Sequence, residues 1–303
     1  MNVWKSYFQG IKDALRPKMV FILWLVNFLF ASVLYFLISG FLSDSISWSS
    51  AAETLMKKGD FKVIQDILFH HSGEISTIFS VGIILFFFYY LASLFLRGGV
   101  LYSLRESMNS SPNEKKERFA SLFFKGAGQF FGRFFRLMIY SLIFWAGFVL
   151  INVLFHFIAG ILTNQGANEK MLVITFWARL AVFLFFYFFV LMVLDYARIK
   201  IVLKNSRKVF KSMFWALGFV LKKLGRTLAL YYILVVTGFL IAFVYWLFDS
   251  LITRQTMAMV ILVFLLGQVF IFARSWLTVA FQAAQMRFLT AGHQKSKSDE
   301  IQI

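Results

Sequence analysis

Six runs of apolar residues, at positions 19–41, 75–96, 137–161, 172–194, 228–248 and 257–277, constrain this chain more than any other feature. Each is about 20 residues or longer, the length an α-helix needs to cross a hydrocarbon core about 30 Å thick. Backbone polar groups in lipid must be satisfied within the segment itself, so runs of this kind become helices. Of the 303 residues 60% are hydrophobic, against roughly 45–50% in an ordinary soluble domain. That excess is too large for a water-soluble core. The first run exceeds the apolar stretch of a cleaved signal peptide and is read as a permanent helix. The expected fold is therefore all-α: a polytopic membrane protein with six transmembrane helices arranged as three hairpins. Residues 1–290 form one membrane domain, and 291–303 a polar tail expected to be mobile.

Charge sets the expected orientation, because Lys and Arg in short loops are retained on the cytoplasmic side. Residues 1–18, 97–136, 195–227 and 278–303 hold 24 of the 31 basic residues. The segments after the first, third and fifth runs hold five, namely Lys57, Lys58, Lys62, Lys170 and Arg254. Both termini and the basic segments are accordingly placed in the cytoplasm, and the long segment at 43–74 outside. The net charge of +17 would suggest nucleic acid as the partner of a soluble protein. Here topology accounts for it, and the expected partners are the phospholipid bilayer and anionic inner-leaflet lipids, with a membrane-protein partner or a second copy as a further possibility and no nucleic acid.

Three segments, beginning near Ser6, Ser121 and Ser212, repeat a plan of amphipathic stretch followed by a span. In the first, Trp4, Phe8, Ile11 and Leu15 make an apolar stripe opposite Lys5, Gln9, Lys12 and Arg16. In the second, Phe119, Leu122, Phe123, Phe130 and Phe134 oppose Lys125, Gln129, Arg133 and Arg136. The third has Phe214, Leu217 and Leu221 before Lys222, Lys223 and Arg226. All three are expected to be interfacial helices on the cytoplasmic side. A further stretch at 198–213 spaces Ile199, Val202, Leu203, Val209, Phe210 and Met213 at i, i+3, i+4, with Lys200, Lys204, Arg207, Lys208 and Lys211 on the remaining face. It is predicted to be helical, with its stripe against the bilayer or neighbouring helix ends and its basic face on anionic lipid.

Few residues are placed to do chemistry. Arg179 lies seven residues into the fourth run; such a charge either snorkels to the outer surface or meets an anionic substrate. Arg274 lies near the inner edge of the sixth run. Asp195, at the end of the fourth, is expected to bond either Arg198 or Arg274, since a carboxylate near a helix C-terminus is disfavoured by the helix dipole. His70 and His71 are adjacent and point apart on a helix, so no metal site is assigned to them. His156 is expected to be a hydrogen-bonded interfacial residue. Asn27, Asn152 and Gln268 are expected to hydrogen-bond between helices, and Gly238 with Ala242, and Ala280 with Ala284, to let helices approach closely. Gly98 and Gly99 read as a turn. There is no cysteine and no acidic residue deep within a run, which removes thiolate chemistry and a carboxylate ion relay. No phosphate-binding glycine loop, paired-histidine zinc motif or nucleophile elbow occurs, and neither a cofactor nor a catalytic constellation is assigned.

Several short features carry a resemblance: Leu15, Arg16 and Pro17 leading into Trp24, Leu25 and Asn27; Arg97, Gly98 and Gly99; Phe134 to Leu137; Asp195 to Ile199; and Gly225, Arg226, Thr227 and Leu228. In these the chain resembles a group of bacterial six-span membrane proteins of unassigned function. More distantly it resembles the membrane domain attached to some glycerophosphodiester phosphodiesterases. The resemblance implies a bacterial cytoplasmic membrane and carries over no catalytic residue. A non-enzymatic accessory or structural component contacting lipids or partner subunits is the leading expectation. The alternatives are a transporter or permease subunit for an anionic or lipid-like substrate, and an intramembrane lipid enzyme built on Asp195, Arg198 and Arg274.

Overall fold

The computed structural model describes residues 2–46, 72–109, 118–163, 169–252 and 256–301. They form eight α-helices: α1 (Val3–Ala14), α2 (Pro17–Ile46), α3 (Ser72–Asn109), α4 (Phe119–Thr163), α5 (Glu169–Leu203), α6 (Val209–Lys222), α7 (Leu224–Leu251) and α8 (Met257–Ile301). Among the described residues there is no strand. Six of the helices, α2, α3, α4, α5, α7 and α8, are long and apolar enough to cross a membrane. The fold is all-α and multi-pass.

Local sequence explains the helix ends. Asn2 caps α1, its Oδ1 accepting the Trp4 N–H at 3.2 Å, and Pro17 opens α2 at a position where its missing N–H costs nothing. Consecutive spans touch within each hairpin, α2 with α3, α4 with α5 and α7 with α8. The most extensive contact joins α3 to α4 across a hairpin boundary, and α8 closes the ring by packing on α2.

The long helices outreach a bilayer. At 45 residues each, α4 and α8 extend about 68 Å, more than twice the hydrocarbon thickness. Their two halves are packed differently. The buried core gathers where the chain termini meet, a region called the base below: Leu101 and Leu104 of α3, Phe123, Phe130 and Phe134 of α4, Ile199 and Val202 of α5, Met213 of α6, and Ala284 and Phe288 of α8 are each at most 1% exposed. Away from the base, the most apolar window of every span is at most one-third buried, and that of α8 is 0% buried.

Glycine makes the base close. A Cβ on Gly10 would lie 2.5 Å from the Ala284 Cα, so only glycine lets α1 sit directly on α8. Gly99 does the same for α3 and α4, where an added Cβ would lie 2.8 Å from the Phe123 ring. The Gly98–Gly99 pair is therefore not a turn: it lies inside the uninterrupted α3, where missing side chains admit a neighbouring helix.

Other expectations are also revised. The stretch at 198–213 is not one helix: α5 stops at Leu203, and Asn205 takes a left-handed φ of 47° before α6 begins at Val209. Four residues of its stripe, Ile199, Val202, Val209 and Met213, are buried at 3% exposure or less against neighbouring helices, one of the two placements expected, whereas Phe210 is 49% exposed. The second amphipathic stretch runs straight into its span within α4, and its Phe123, Phe130 and Phe134 face the core. Residues 291–301, expected to form a polar tail, are the end of α8. Lys57, Lys58, Lys62, His70, His71, Arg254 and most of the 43–74 segment lie outside the described residues, as does the side chain of His293.

Candidate functional site

The charged residues singled out in the sequence fall into separate places. Arg179, in the outer part of α5 beside the exposed Phe176 and Trp177, points away from the bundle, with no ion pair among the described residues. Arg274 is likewise exposed, and its side chain reaches no carboxylate among them. An anionic substrate inside the bundle would meet neither residue.

Asp195 and Arg198 are brought together. The Arg198 guanidinium donates to Asp195 Oδ1 at 2.6 Å, the i, i+3 partnership on α5, and is itself largely buried. The sequence reading left Arg198 and Arg274 open as partners, and the structure selects Arg198. It adds a second cation that the reading missed: Arg97 of α3 lies 3.6 Å from the same oxygen. The arginine had been noticed only as the start of Arg97-Gly98-Gly99. Two glycines that draw α3 against α4 were the signal that Arg97 stands close to the packed base, where its side chain remains 37% exposed. One carboxylate oxygen shared by two guanidiniums is a tie between α3 and α5.

The basic set at the end of α5 does not form a single stripe. Lys204 and Lys211 each lie close enough to Lys200 to repel its charge. Arg207 instead faces Arg133 of α4, while Lys208 is exposed just before α6. The intervening turn is fixed from α4: Arg133 Nη1 donates to Asn205 Oδ1 at 2.6 Å, and Gln129 Nε2 to the same oxygen at 3.3 Å. Asn tolerates the left-handed conformation better than other residues with a Cβ, and these two bonds reward it for doing so.

Lys200 and Lys204 open on a cavity of about 760 Å³ at the base. It lies between the start of α1, the ends of α3 and α5, the middle of α6 and residues 287–291 of α8. Lys5 and Arg287 complete its cationic lining. The Lys200 ammonium rests 3.8 Å from the centroid of a Trp215 ring, a cation–π contact that fixes where the charge stands. Arg287 forms a two-point ion pair with Asp13 of α1, at 2.6 and 3.1 Å. That pair, which also fastens the first helix to the last, was not foreseen.

Polar contacts inside the spans are sparse. Asn27 behaves as expected, donating to Ser275 Oγ at 3.2 Å and accepting from the Tyr89 hydroxyl at 2.8 Å, so that one side chain joins α2, α3 and α8. Asn152 does not bridge helices; its Nδ2 donates to Phe148 O, one turn earlier in its own helix. Gln268 Oε1 is buried without a hydrogen-bond partner among the described residues. His156 is exposed beside Phe157. Gly238 meets Leu277 of α8 closely, in line with its expected packing role. Among the described residues no three histidine or carboxylate side chains converge. No protein-family model, curated protein or solved structure matches the chain.

Proposed function

We propose that the chain is a non-enzymatic accessory or structural component of a bacterial cytoplasmic membrane, contacting lipid or partner membrane subunits through its spans, with the base and both termini in the cytoplasm. The observation that carries this reading is the inversion of exposure along the long helices. Phe157, Phe176, Phe239 and Phe264 are all more than half exposed beyond the base, while Phe123, Phe130 and Phe134 are sealed within it. Apolar surface on that scale requires an apolar solvent or partner.

The orientation follows from the concentration of Lys and Arg in the segments that build the base. The interfacial role of α1 is supported by its faces: Ser6, Gly10 and Ala14 pack inward, while Trp4, Phe8 and Leu15, each at least 58% exposed, point away from the protein. A helix that turns its small residues to the protein and its large apolar ones outward is suited to lying in the plane of the inner leaflet. The resemblance to bacterial six-span membrane proteins agrees with this placement. The transporter alternative needs a polar path through the spans. Asn27, Tyr89 and Ser275 are instead tied to one another, and Arg179 points outward.

A photo-reactive residue at position 157, 239 or 264 should crosslink to lipid or a partner chain in native membranes, whereas one at position 134 should give only intramolecular products. Transport of an anionic solute by the purified protein in sealed vesicles would displace this reading in favour of a permease. Orientation is tested separately in a chain with no cysteine. Ser50→Cys should react with an impermeant thiol reagent from outside, and Ser110→Cys should not; the reverse result would invert the topology.

A further inference from the structure

We infer that the cavity at the base is a binding site for a phosphate group, carried either by a small soluble molecule or by a lipid headgroup. This goes beyond the accessory role and does not depend on it, because the cavity's chemistry is the same whichever way the chain is inserted. Its volume of about 760 Å³ falls within the roughly 300–1,000 Å³ of ordinary small-molecule sites.

Its charge is one-sided. Four cationic side chains, Lys5, Lys200, Lys204 and Arg287, come from three different helices, and no Asp or Glu is found among the described lining residues. Asp13 already answers Arg287 through two short bonds. The three lysines have no carboxylate partner among the described residues, and Lys200 is further crowded by Lys204 and Lys211. Like charges assembled around a concave space raise the free energy of the empty protein, and an anion entering that space relieves it.

The identity of the anion follows from the donors. An ammonium pinned over an indole ring is a fixed point charge, and Lys serves as a point-charge partner of phosphate, whereas a planar carboxylate is better matched by the fork of an arginine. Here the arginine fork is occupied by Asp13 and the ammoniums remain. Leu203 and Leu289 supply an apolar wall beside them, suited to the carbon skeleton attached to a phosphate.

The test uses the full chain in detergent and in nanodiscs, with thermal unfolding as the readout. Inorganic phosphate and pyrophosphate, added at constant ionic strength, are compared with chloride. Nanodiscs of phosphatidylcholine alone are compared with nanodiscs containing phosphatidic acid. The wild type should be stabilised saturably by a soluble phosphate, by phosphatidic acid, or by both. In the double variant Lys200→Gln/Lys204→Gln the half-saturating concentration should rise about tenfold or more, the loss expected for charge-assisted contacts. Lys5→Gln, an exposed change remote from the core, should weaken the response in the same direction and keeps the test decisive if the double variant does not fold. Lys222→Gln/Arg226→Gln removes two charges outside the cavity and should leave the response intact. Stabilisation by soluble phosphate without the lipid identifies a soluble ligand; stabilisation by phosphatidic acid alone identifies a headgroup. No saturable response to either in the wild type, or equal losses in the cavity and control variants, would overturn the site.

Discussion

The spans beyond the base and the base itself are made from the same apolar side chains put to opposite uses. Phe157 is 66% exposed in the outer part of α4, and Phe134, less than seven turns earlier in the same helix, is 1% exposed. The difference teaches which forces hold each region. In water, burying a phenylalanine is itself favourable, so the base condenses around its rings. In hydrocarbon, lipid tails are as apolar as the side chains, and helices associate through close contacts and hydrogen bonds instead. The outer spans therefore have no driving force to seal their phenylalanines against one another. What joins them near the base is a polar knot, Asn27 with Tyr89 and Ser275.

This contrast can be broken by substitution. Phe134→Ala opens a cavity in a sealed core and should cost about 3–5 kcal/mol, whereas Phe157→Ala should change stability by no more than about 0.5 kcal/mol. Unfolding midpoints in mild detergent measure both, and equal losses would remove the distinction between the two regions. Asp195→Asn should cost less, about 2 kcal/mol, because it leaves Arg97 and Arg198 facing each other without their shared anion. Adding Arg97→Gln to that variant should recover part of the loss; no recovery would mean that Asp195 acts on Arg198 alone. The smallest loss among the bonded groups belongs to the membrane knot. Asn27→Leu should cost about 0.6 kcal/mol, the average of hydrogen bonds between membrane helices, and a loss as large as that of Phe134→Ala would show that the spans depend on polar locks rather than on lipid.

The six spans were legible because each is apolar around its whole circumference for long enough to cross a bilayer. The base was legible only in part. The stripe through Ile199, Val202, Val209 and Met213 was read correctly as apolar and wrongly as continuous helix: Val202 and Val209 are seven residues apart, so the periodicity passes through the break undisturbed. What ends α5 is Asn205, held by Arg133 and Gln129 from a segment some 70 residues earlier. Only the Asn-Ser pair itself hinted at a stop. The stripes of α1 and α4 looked alike in sequence, yet one faces out and the other in. The deciding residues were Gly10 and Ala14 on the opposite face of α1, which make its smooth side the better seat for α8. The candidate site was hidden for a similar reason. Lys200 and Lys204 stood in the sequence as part of a surface, and became the lining of a cavity only when Lys5 and Arg287 arrived from the two ends of the chain.

The ion pair between Asp13 and Arg287 spans 274 positions, and that separation sets a schedule for synthesis. At the ribosome's pace of about 5–20 residues per second, α1 is finished roughly 15 to 55 s before its seat on α8 has been made. Through that interval the face that will be covered last presents Ser6, Gly10 and Ala14, which offer little apolar area to a chaperone or to another unfinished chain. Trp4, Phe8 and Leu15 are turned the other way, and of the large aromatic residues of α1 only Tyr7 waits for a later partner, Thr237 of α7. A nascent segment that must wait longest for its mate thus carries its stickiest surface where waiting does no harm.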